Sequence, residues 1–284
     1  MTSARMMPPA NPGRRTVLVT GASGLIGAAA AHDLSATHRV RALNRRASPP
    51  FETVQADIAD LDAIRPAFEG VHTVVHLSAL LIEATEAELT RVNLVGTQNV
   101  FAAAAAAGVR RIIFASSGSV MGGYHGDEPF KSLLQWRDQR IPEVARRVRA
   151  GADDYGRPWR LISERDPVRP TVFYAYTKVA GEALGRLYHE TKGISVICIR
   201  FGAVNAQDRP RSASAAAVFM SRRDAAQVIR KSVEAPDSVG FETFYALSDN
   251  AARFRDLERA RDAVGYRPQD GIMEWPIAGE ARGG

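Results

Sequence analysis

Tyr174 and Lys178, four residues apart, are the pair in this chain best suited to move a proton. On a helix that spacing puts both side chains on one face, a turn apart. A free phenol, with a pKa of about 10, is a poor base at neutral pH. A neighbouring ammonium favours the phenolate and lowers that value. The pair therefore suits removal of a hydroxyl proton, the step that accompanies hydride loss from an alcohol. Tyr176 has no such partner, because no lysine follows it at four residues. A second constellation is rich in glycine: Gly21-Ala22-Ser23-Gly24-Leu25-Ile26-Gly27 follows a short β-branched run and opens an alanine-rich helix. A tight turn, a close backbone approach and close helix packing each demand a residue without a side chain. The free N–H groups at the helix start then suit a pyrophosphate. Between a strand and a helix, near the start of an alternating pattern, this is the signature of a dinucleotide site.

The elements that must hold these residues alternate. Strands are predicted at Thr16–Thr20, Val40–Leu43, Phe51–Ala56 (ending at Asp57), Val71–Leu77, Arg111–Ala115 and Ser195–Arg200. Helices are predicted at Asp60–Glu69, Glu86–Ala107 and Tyr174–Lys192. Such alternation implies right-handed βαβ units, an α/β fold with a Rossmann-type, doubly wound parallel sheet. Residues 1–14 read as a disordered tail and 15–202 as the dinucleotide-binding domain. The stretch between Gly122 and Pro170 breaks the rhythm. It reads as an insertion at about 123–170 over the active-site edge, with a short helix at Pro142–Ala150. Residues 203–284 read as a small C-terminal substrate-binding part. There Ser221 caps a helix, with Asp224 three positions on, and a strand follows at Phe241–Leu247.

The second strand ends in Leu43-Asn44-Arg45-Arg46. An acid there would bond the ribose hydroxyls of NAD and repel the extra phosphate of NADP. No acid is present, and Arg45 and Arg46 are placed to grip a 2′-phosphate. The cofactor is therefore read as NADP or NAD, with a lean to NADP.

The G-x-x-G-x-x-G spacing resembles the extended short-chain dehydrogenase/reductase family, whose members include NAD-dependent epimerases and dehydratases. Further motifs follow in the family's order. Asp57-Ile58 is similar to the pair that holds the adenine. Leu77-Ser78-Ala79 resembles the turn after the fourth strand, and Asn93-Leu-Val-Gly96-Thr97 the N-x-x-G-T helix motif. Ser116-Ser117-Gly118-Ser119-Val120-Met121-Gly122 resembles S-S-x-x-V-Y-G, in which the second serine bonds the substrate oxygen. The resemblance thus implies Ser117, Tyr174 and Lys178 as catalytic residues. It implies cofactor contacts from Gly21, Ser23, Gly24, Leu25, Ile26, Gly27, Asn44, Arg45, Asp57, Ile58, Leu77, Ser78, Ala79, Asn93, Gly202 and Val204, and from Tyr174 and Lys178, the lysine holding the nicotinamide ribose.

Three tail segments, Phe219-Met-Ser221-x-x-Asp224, Phe244 to Asn250 and Gly265 to Asp270, are similar to uronate dehydrogenases. Those enzymes oxidise the anomeric hydroxyl of a uronic acid to a lactone. The chain departs from them at Asn44, where they carry an acid, and at Ser119, where they carry histidine. Their carboxylate-binding arginine has no clean counterpart; Arg209 and Arg211 lie nearby and, with Ser119, are the substrate-binding candidates. The absence of an acidic pair beside Ser117 disfavours dehydration. The expected activity is hydride transfer between a nicotinamide cofactor and a sugar-like or small polar alcohol. A nucleotide-sugar epimerase, or a dinucleotide-binding sensor without turnover, are the alternatives. The insertion's Arg137, Arg140, Arg146, Arg147, Arg149, Arg157 and Arg160 are read mainly as a solvated face, and Trp136 and Trp159 as pocket-lining or anchoring. A homodimer through the two long helices is what the resemblance implies.

Bulk properties narrow the classes further. Of 284 residues, 45% are apolar and 24% charged, the ordinary balance of a soluble globular protein. No apolar run reaches the roughly 20 residues needed to cross a bilayer, and the Pro- and Arg-bearing N-terminus lacks the apolar stretch of a secretory signal. The one cysteine, Cys198, lies in a strand-like run, where it behaves as a small hydrophobe and suits a reducing cytoplasm. The net charge of +6 is dispersed, which disfavours nucleic acid and favours small anionic ligands. No metal site is read.

Overall fold

The short β-branched runs of the sequence become strands of one sheet. The computed structural model describes residues 14–128, 130–135 and 160–272. In it β1 (Thr16–Thr20), β2 (Arg39–Asn44), β3 (Glu52–Gln55), β4 (Thr73–His76), β5 (Arg111–Ser117), β6 (Ser195–Phe201) and β7 (Phe241–Ala246) are ordered β3-β2-β1-β4-β5-β6-β7. Every neighbouring pair is parallel. The chain winds outward from β1 to β3, then returns to the other side of β1 as β4. A parallel sheet reverses its order at such a point, and ligands bind in the crevice it opens beyond the strands' carboxyl ends. β7, predicted as part of a separate C-terminal segment, extends this same sheet beyond β6.

Alternation along β1 feeds two cores. Val17 and Val19 pack to one face with α1 (Leu25–Leu34) and the later helices, whereas Leu18 packs to the other. On that second face lie α2 (Leu61–Ile64), a 3-10 turn at Arg65–Phe68, α3 (Glu86–Leu89), a π-helical stretch at Thr90–Gly96 and α4 (Thr97–Ala106). A long 3-10 segment, Gly118–Gly126, follows β5 and leads to α5 (Phe130–Gln135). Then come α6 (Phe173–Lys192), α7 (Ala213–Ala216), α8 (Arg222–Val233) and α9 (Glu258–Val264).

Three helices differ from expectation. Asp60–Glu69 splits ahead of Pro66, which has no N–H to continue α2, and the 3-10 turn Arg65–Phe68 takes over. The single helix expected at Glu86–Ala107 is interrupted by the π stretch, which contains Asn93. Ser221 caps α8 as predicted, its Oγ accepting from the Asp224 N–H at 3.0 Å. The reciprocal half of the box does not form. The Asp224 carboxylate accepts instead from Ser248 Oγ and from the Gln269 and Asp270 N–H groups. The helix expected at Pro142–Ala150 lies outside the described residues. No helix among the described residues is long and apolar enough to cross a membrane.

Candidate active site

The glycine turn forms as its sequence demands. Gly21 adopts φ +73°, a conformation that L side chains rarely take. Its N–H bonds the Leu43 carbonyl at 3.1 Å, and its carbonyl accepts from the Gly24 N–H at 2.9 Å. A Cβ at Gly27 would stand 2.1 Å from the Gly21 oxygen, so the third glycine serves packing beneath the turn. Above the turn opens a cleft of about 400 Å³, lined by Gly21, Ser23 and Gly24, by Leu43 to Arg46, by Ala56 to Ile58, and by Leu77 to Leu80 with Val92. The sequence placed most of these residues together; the fold brings them to one crevice at the switch between β1 and β4.

At the end of β2, Asn44 is buried and its amide donates to the Ser48 hydroxyl. Arg45 and Arg46 are exposed at the rim. Asp57 meets Arg91 at 2.9 Å and the Ala59 N–H at 3.0 Å. Burial works to raise its pKa, but those two donors outweigh it and hold the carboxyl below the usual carboxylate range.

Two polar nodes position the inner wall. Thr20 Oγ1 accepts from the Leu77 and Ser78 N–H groups, both at 3.1 Å, and bonds His76 Nδ1 at 2.8 Å. His76 Nε2 reaches Thr97 Oγ1 at 3.1 Å. Burial, aided by the Lys178 charge, pushes the imidazole down to about 3, so it stays neutral. Asn93, expected at the cofactor, spends its amide differently. It bonds both the N–H and the carbonyl of Leu80, at 2.8 and 3.0 Å, and its Nδ2 reaches Thr177 Oγ1 at 3.3 Å. It thereby ties the cleft wall to the residue before Lys178. Sequence reasoning missed the His76 node, although a histidine inside the apolar run Val74-Val75-His76 is a readable sign of a buried polar contact.

Ser117 ends β5, and Tyr174 and Lys178 lie on the first turns of α6. α6 approaches the sheet closely because Gly181 has no side chain; a Cβ there would stand 2.2 Å from the Phe114 ring. Ser117 Oγ accepts from the Ser119 hydroxyl at 2.9 Å and from its N–H at 3.1 Å, and it bonds the Tyr174 hydroxyl. Lys178 is 5% exposed, donates to the Ala115 carbonyl at 2.8 Å, and lies 5.5 Å from the Tyr174 ring centroid. The three predicted catalytic side chains thus converge, with Ser119 beside them. The electrostatics differ from the expectation that Lys178 lowers the Tyr174 pKa. Burial pushes the phenol above its ordinary value; the Ser117 bond works the other way, and Glu83 adds to the rise. Burial also pulls Lys178 down to about 8. Tyr176, set aside on spacing, is 48% exposed.

The depressed Lys178 value carries a stability prediction. The folded chain releases this proton near pH 8, the unfolded chain at about 10.4. Between those limits the unfolded state binds more protons, so stability rises with pH across the window. Lys178→Met is expected to abolish that rise and to stabilise the fold at pH 7 by on the order of 1 kcal/mol, the relief of a buried charge less the lost Ala115 bond. Thermal midpoints from pH 7 to 10 read this out; an unchanged slope in the variant would count against it.

Other predicted site residues fall elsewhere. Leu25 and Ile26 begin α1 and, with Gly27, do not line the cleft. Nor do Gly202 and Val204: a Cβ on Gly202 would stand 2.6 Å from the Val218 carbonyl, and Val204 packs against the first core. Arg209 and Arg211 are exposed on the loop after β6; the Arg209 carbonyl accepts from Asn205, and Arg211 donates to Gln207. Arg160 pairs with Asp166 at 2.6 Å and lies 5.8 Å from the Tyr124 ring centroid. Arg137, Arg140, Arg146, Arg147, Arg149 and Arg157, with Trp136 and Trp159, lie outside the described residues.

The chain is similar to known proteins along most of its length. The model of the NAD dependent epimerase/dehydratase family matches residues 17–234. The NAD-dependent glucose-6-phosphate dehydrogenase of Haloferax volcanii is 32% identical over 275 residues, 93% of this chain and 97% of that protein. The L-arabinose 1-dehydrogenase (NAD(P)(+)) of the same organism is 32% identical over 266 residues, 89% of this chain and 96% of that protein. Among solved structures, a mutated uronate dehydrogenase superposes with a TM-score of 0.72 at 25% identity, covering 90% of this chain and 82% of that one.

Proposed function

This chain belongs to the NAD-dependent epimerase/dehydratase family, and from that membership we propose that it is an NAD-linked oxidoreductase that takes hydride from the anomeric carbon of a sugar and leaves a lactone. The observation that carries this reading is the convergence of Ser117, Tyr174 and Lys178 beside the dinucleotide cleft. The relatives' names join a nicotinamide cofactor to a sugar.

The cleft fits the cofactor by shape and chemistry. The Gly21–Gly24 turn leaves backbone room for a pyrophosphate at the start of α1. Asn44, Asp57 and Ile58 all line the cleft; Asn44 would meet the ribose, and Asp57 with Ile58 the adenine. Lys178 has ammonium protons left after its bond to Ala115 and would hold the second ribose. When bound there, the nicotinamide would supply the hydride acceptor and a positive charge. Opposite charge favours the phenolate, which offsets the burial that keeps Tyr174 protonated in the chain alone. Tyr174 takes the proton of the substrate hydroxyl, and Ser117 donates to the substrate oxygen and holds it in line. The C–H bond's electrons leave as hydride, the O–H electrons form the new carbonyl, and the proton rests on Tyr174.

A panel of free aldoses, uronic acids, sugar phosphates and nucleotide sugars tests the reading by reduced-nicotinamide absorbance. Absorbance is expected to rise with a free sugar. Silence throughout, with isomerisation of a nucleotide sugar, would establish a redox-neutral epimerase instead.

NADP is accepted as well as NAD in this proposal, because Arg45 and Arg46 flank the ribose position without a competing acid. Arg45→Ala is expected to weaken NADP binding at least about tenfold, the worth of one charge-assisted bond. NAD binding should stay within about twofold, as it makes no such bond. Calorimetric titration with each dinucleotide checks this; equal losses for both would sink the phosphate role.

A further inference from the structure

Arg255, beside Ser117 and Ser119, is a buried cation with no counter-charge among the described residues. It lies on the segment after β7, pinned by a backbone bridge to Ile162, and is 2% exposed. Its Nη1 is buried and has no hydrogen-bond partner. Its Nη2 meets His125 Nε2 at 3.1 Å, and burial together with the Arg255 charge pushes that imidazole down to about 4, so it is neutral. The guanidinium carbon lies 5.1 Å from the ring centroids of both Tyr245 and Phe254. The Tyr245 hydroxyl, which supports Arg255, already accepts from Arg200 at 3.2 Å. The nearby carboxylate, Glu182, gives both oxygens to Arg200. No carboxylate among the described residues pairs with Arg255. An unpaired buried charge is costly, and a protein keeps one where something of opposite charge arrives.

The place narrows what arrives. A Cβ at Gly118 would stand 3.4 Å from Arg255 Nε and 3.8 Å from its Cζ. Those are ordinary van der Waals distances, and Gly118 lies between Ser117 and Ser119, so the backbone that carries both serines lies directly against the guanidinium. Ser117 adjoins that glycine in the chain, so the fork lies next to the segment whose hydroxyl meets the substrate oxygen. A planar fork in a dry setting suits the oxygens of a phosphate or carboxylate, where charge-assisted bonds are strongest.

We propose that Arg255, backed by His125, anchors an anionic group, phosphate or carboxylate, carried by the sugar whose hydroxyl meets Ser117 and Tyr174. This rests on the sugar-oxidising reading above. It moves substrate recognition from the exposed Arg209 and Arg211 to a buried residue that no sequence motif marks.

The test compares kcat/KM for a neutral aldose, its uronic acid and its 6-phosphate, in the wild type and in Arg255→Met and Arg255→Lys. The wild type is expected to favour one anionic sugar, and which one names the group. Arg255→Met is expected to lower the anionic-to-neutral ratio by about 100-fold, and Arg255→Lys by about tenfold, because lysine keeps the charge and loses the fork. Equal loss on all three sugars, or no change in the ratio, would overturn the proposal and leave Arg255 a packing residue. If the wild type oxidises no sugar, the sugar reading itself has failed, and the anion site is judged without turnover. Inorganic phosphate should then raise the Tm of the NAD-loaded wild type and not that of Arg255→Met; a shift in both or in neither would overturn it. NAD affinity of each variant serves as the check on folding.

Discussion

Tyr174→Phe is expected to lower kcat for sugar oxidation by about 10³-fold, the range of a lost general acid–base group, while NAD binding stays within about twofold. The phenol hydroxyl is the atom removed; the ring, its packing and the Lys178 contact remain. Ser117 loses the partner its hydroxyl bonds, and Lys178 still donates to Ala115. Burial already holds the phenol above its ordinary pKa, so no spare base waits at this position, and Tyr176 is too exposed to take over. Steady-state rates with parallel NAD titration read the result. A variant that keeps more than about a tenth of wild-type kcat would remove Tyr174 from the chemistry.

The largest stability effect is expected behind the site. Glu182 on α6 accepts from both Arg200 Nε and Nη2 at 2.8 Å, and from the Ser116 hydroxyl at 2.5 Å. The pair is almost fully buried, at 4% and 10% side-chain exposure. Glu182→Ala would leave Arg200 as a second unpaired cation near Arg255, and Ser116 without its acceptor. The cost is expected to be about 3–5 kcal/mol, which for a chain of this size lowers Tm by roughly 10 °C. Glu182→Leu with Arg200→Met removes both charges together and is expected to be less destabilising than either single change. Denaturant melts of the three variants check this. Single changes that each cost under about 1 kcal/mol would show that the pair is screened rather than buried.

Much of this was legible in the sequence because local chemistry and fold agree. The glycine turn needs a positive φ at Gly21 and packing room at Gly27, and both are written as glycines. Tyr174 and Lys178 share a helix face by arithmetic alone. The strands announce themselves through β-branched runs such as Thr16–Thr20. What escaped depends on contacts distant in sequence. Asn93 belongs to a recognisable motif, yet its amide serves the Leu80 backbone, and only the π stretch that carries it sets that geometry. The effect of Lys178 on Tyr174 is not legible from spacing, which shows a neighbour and hides the burial that dominates both groups. Arg255 gives no sign at all: one arginine among many in the tail, its meaning lies in being buried beside Gly118 with no carboxylate among the described residues paired to it. Arg209 and Arg211 follow β6, as a substrate-binding arginine would, but they are exposed.

Hydride transfer from the anomeric carbon is most directly tested with isotope. The wild-type chain is mixed with NAD and with aldoses, uronic acids and aldose 6-phosphates carrying deuterium at C1, and the products are read by mass spectrometry and NMR. One deuterium is expected on the reduced nicotinamide for each lactone formed, and none in solvent. Recovery of sugar with its label intact, or of label in water with no reduced nicotinamide, would contradict it.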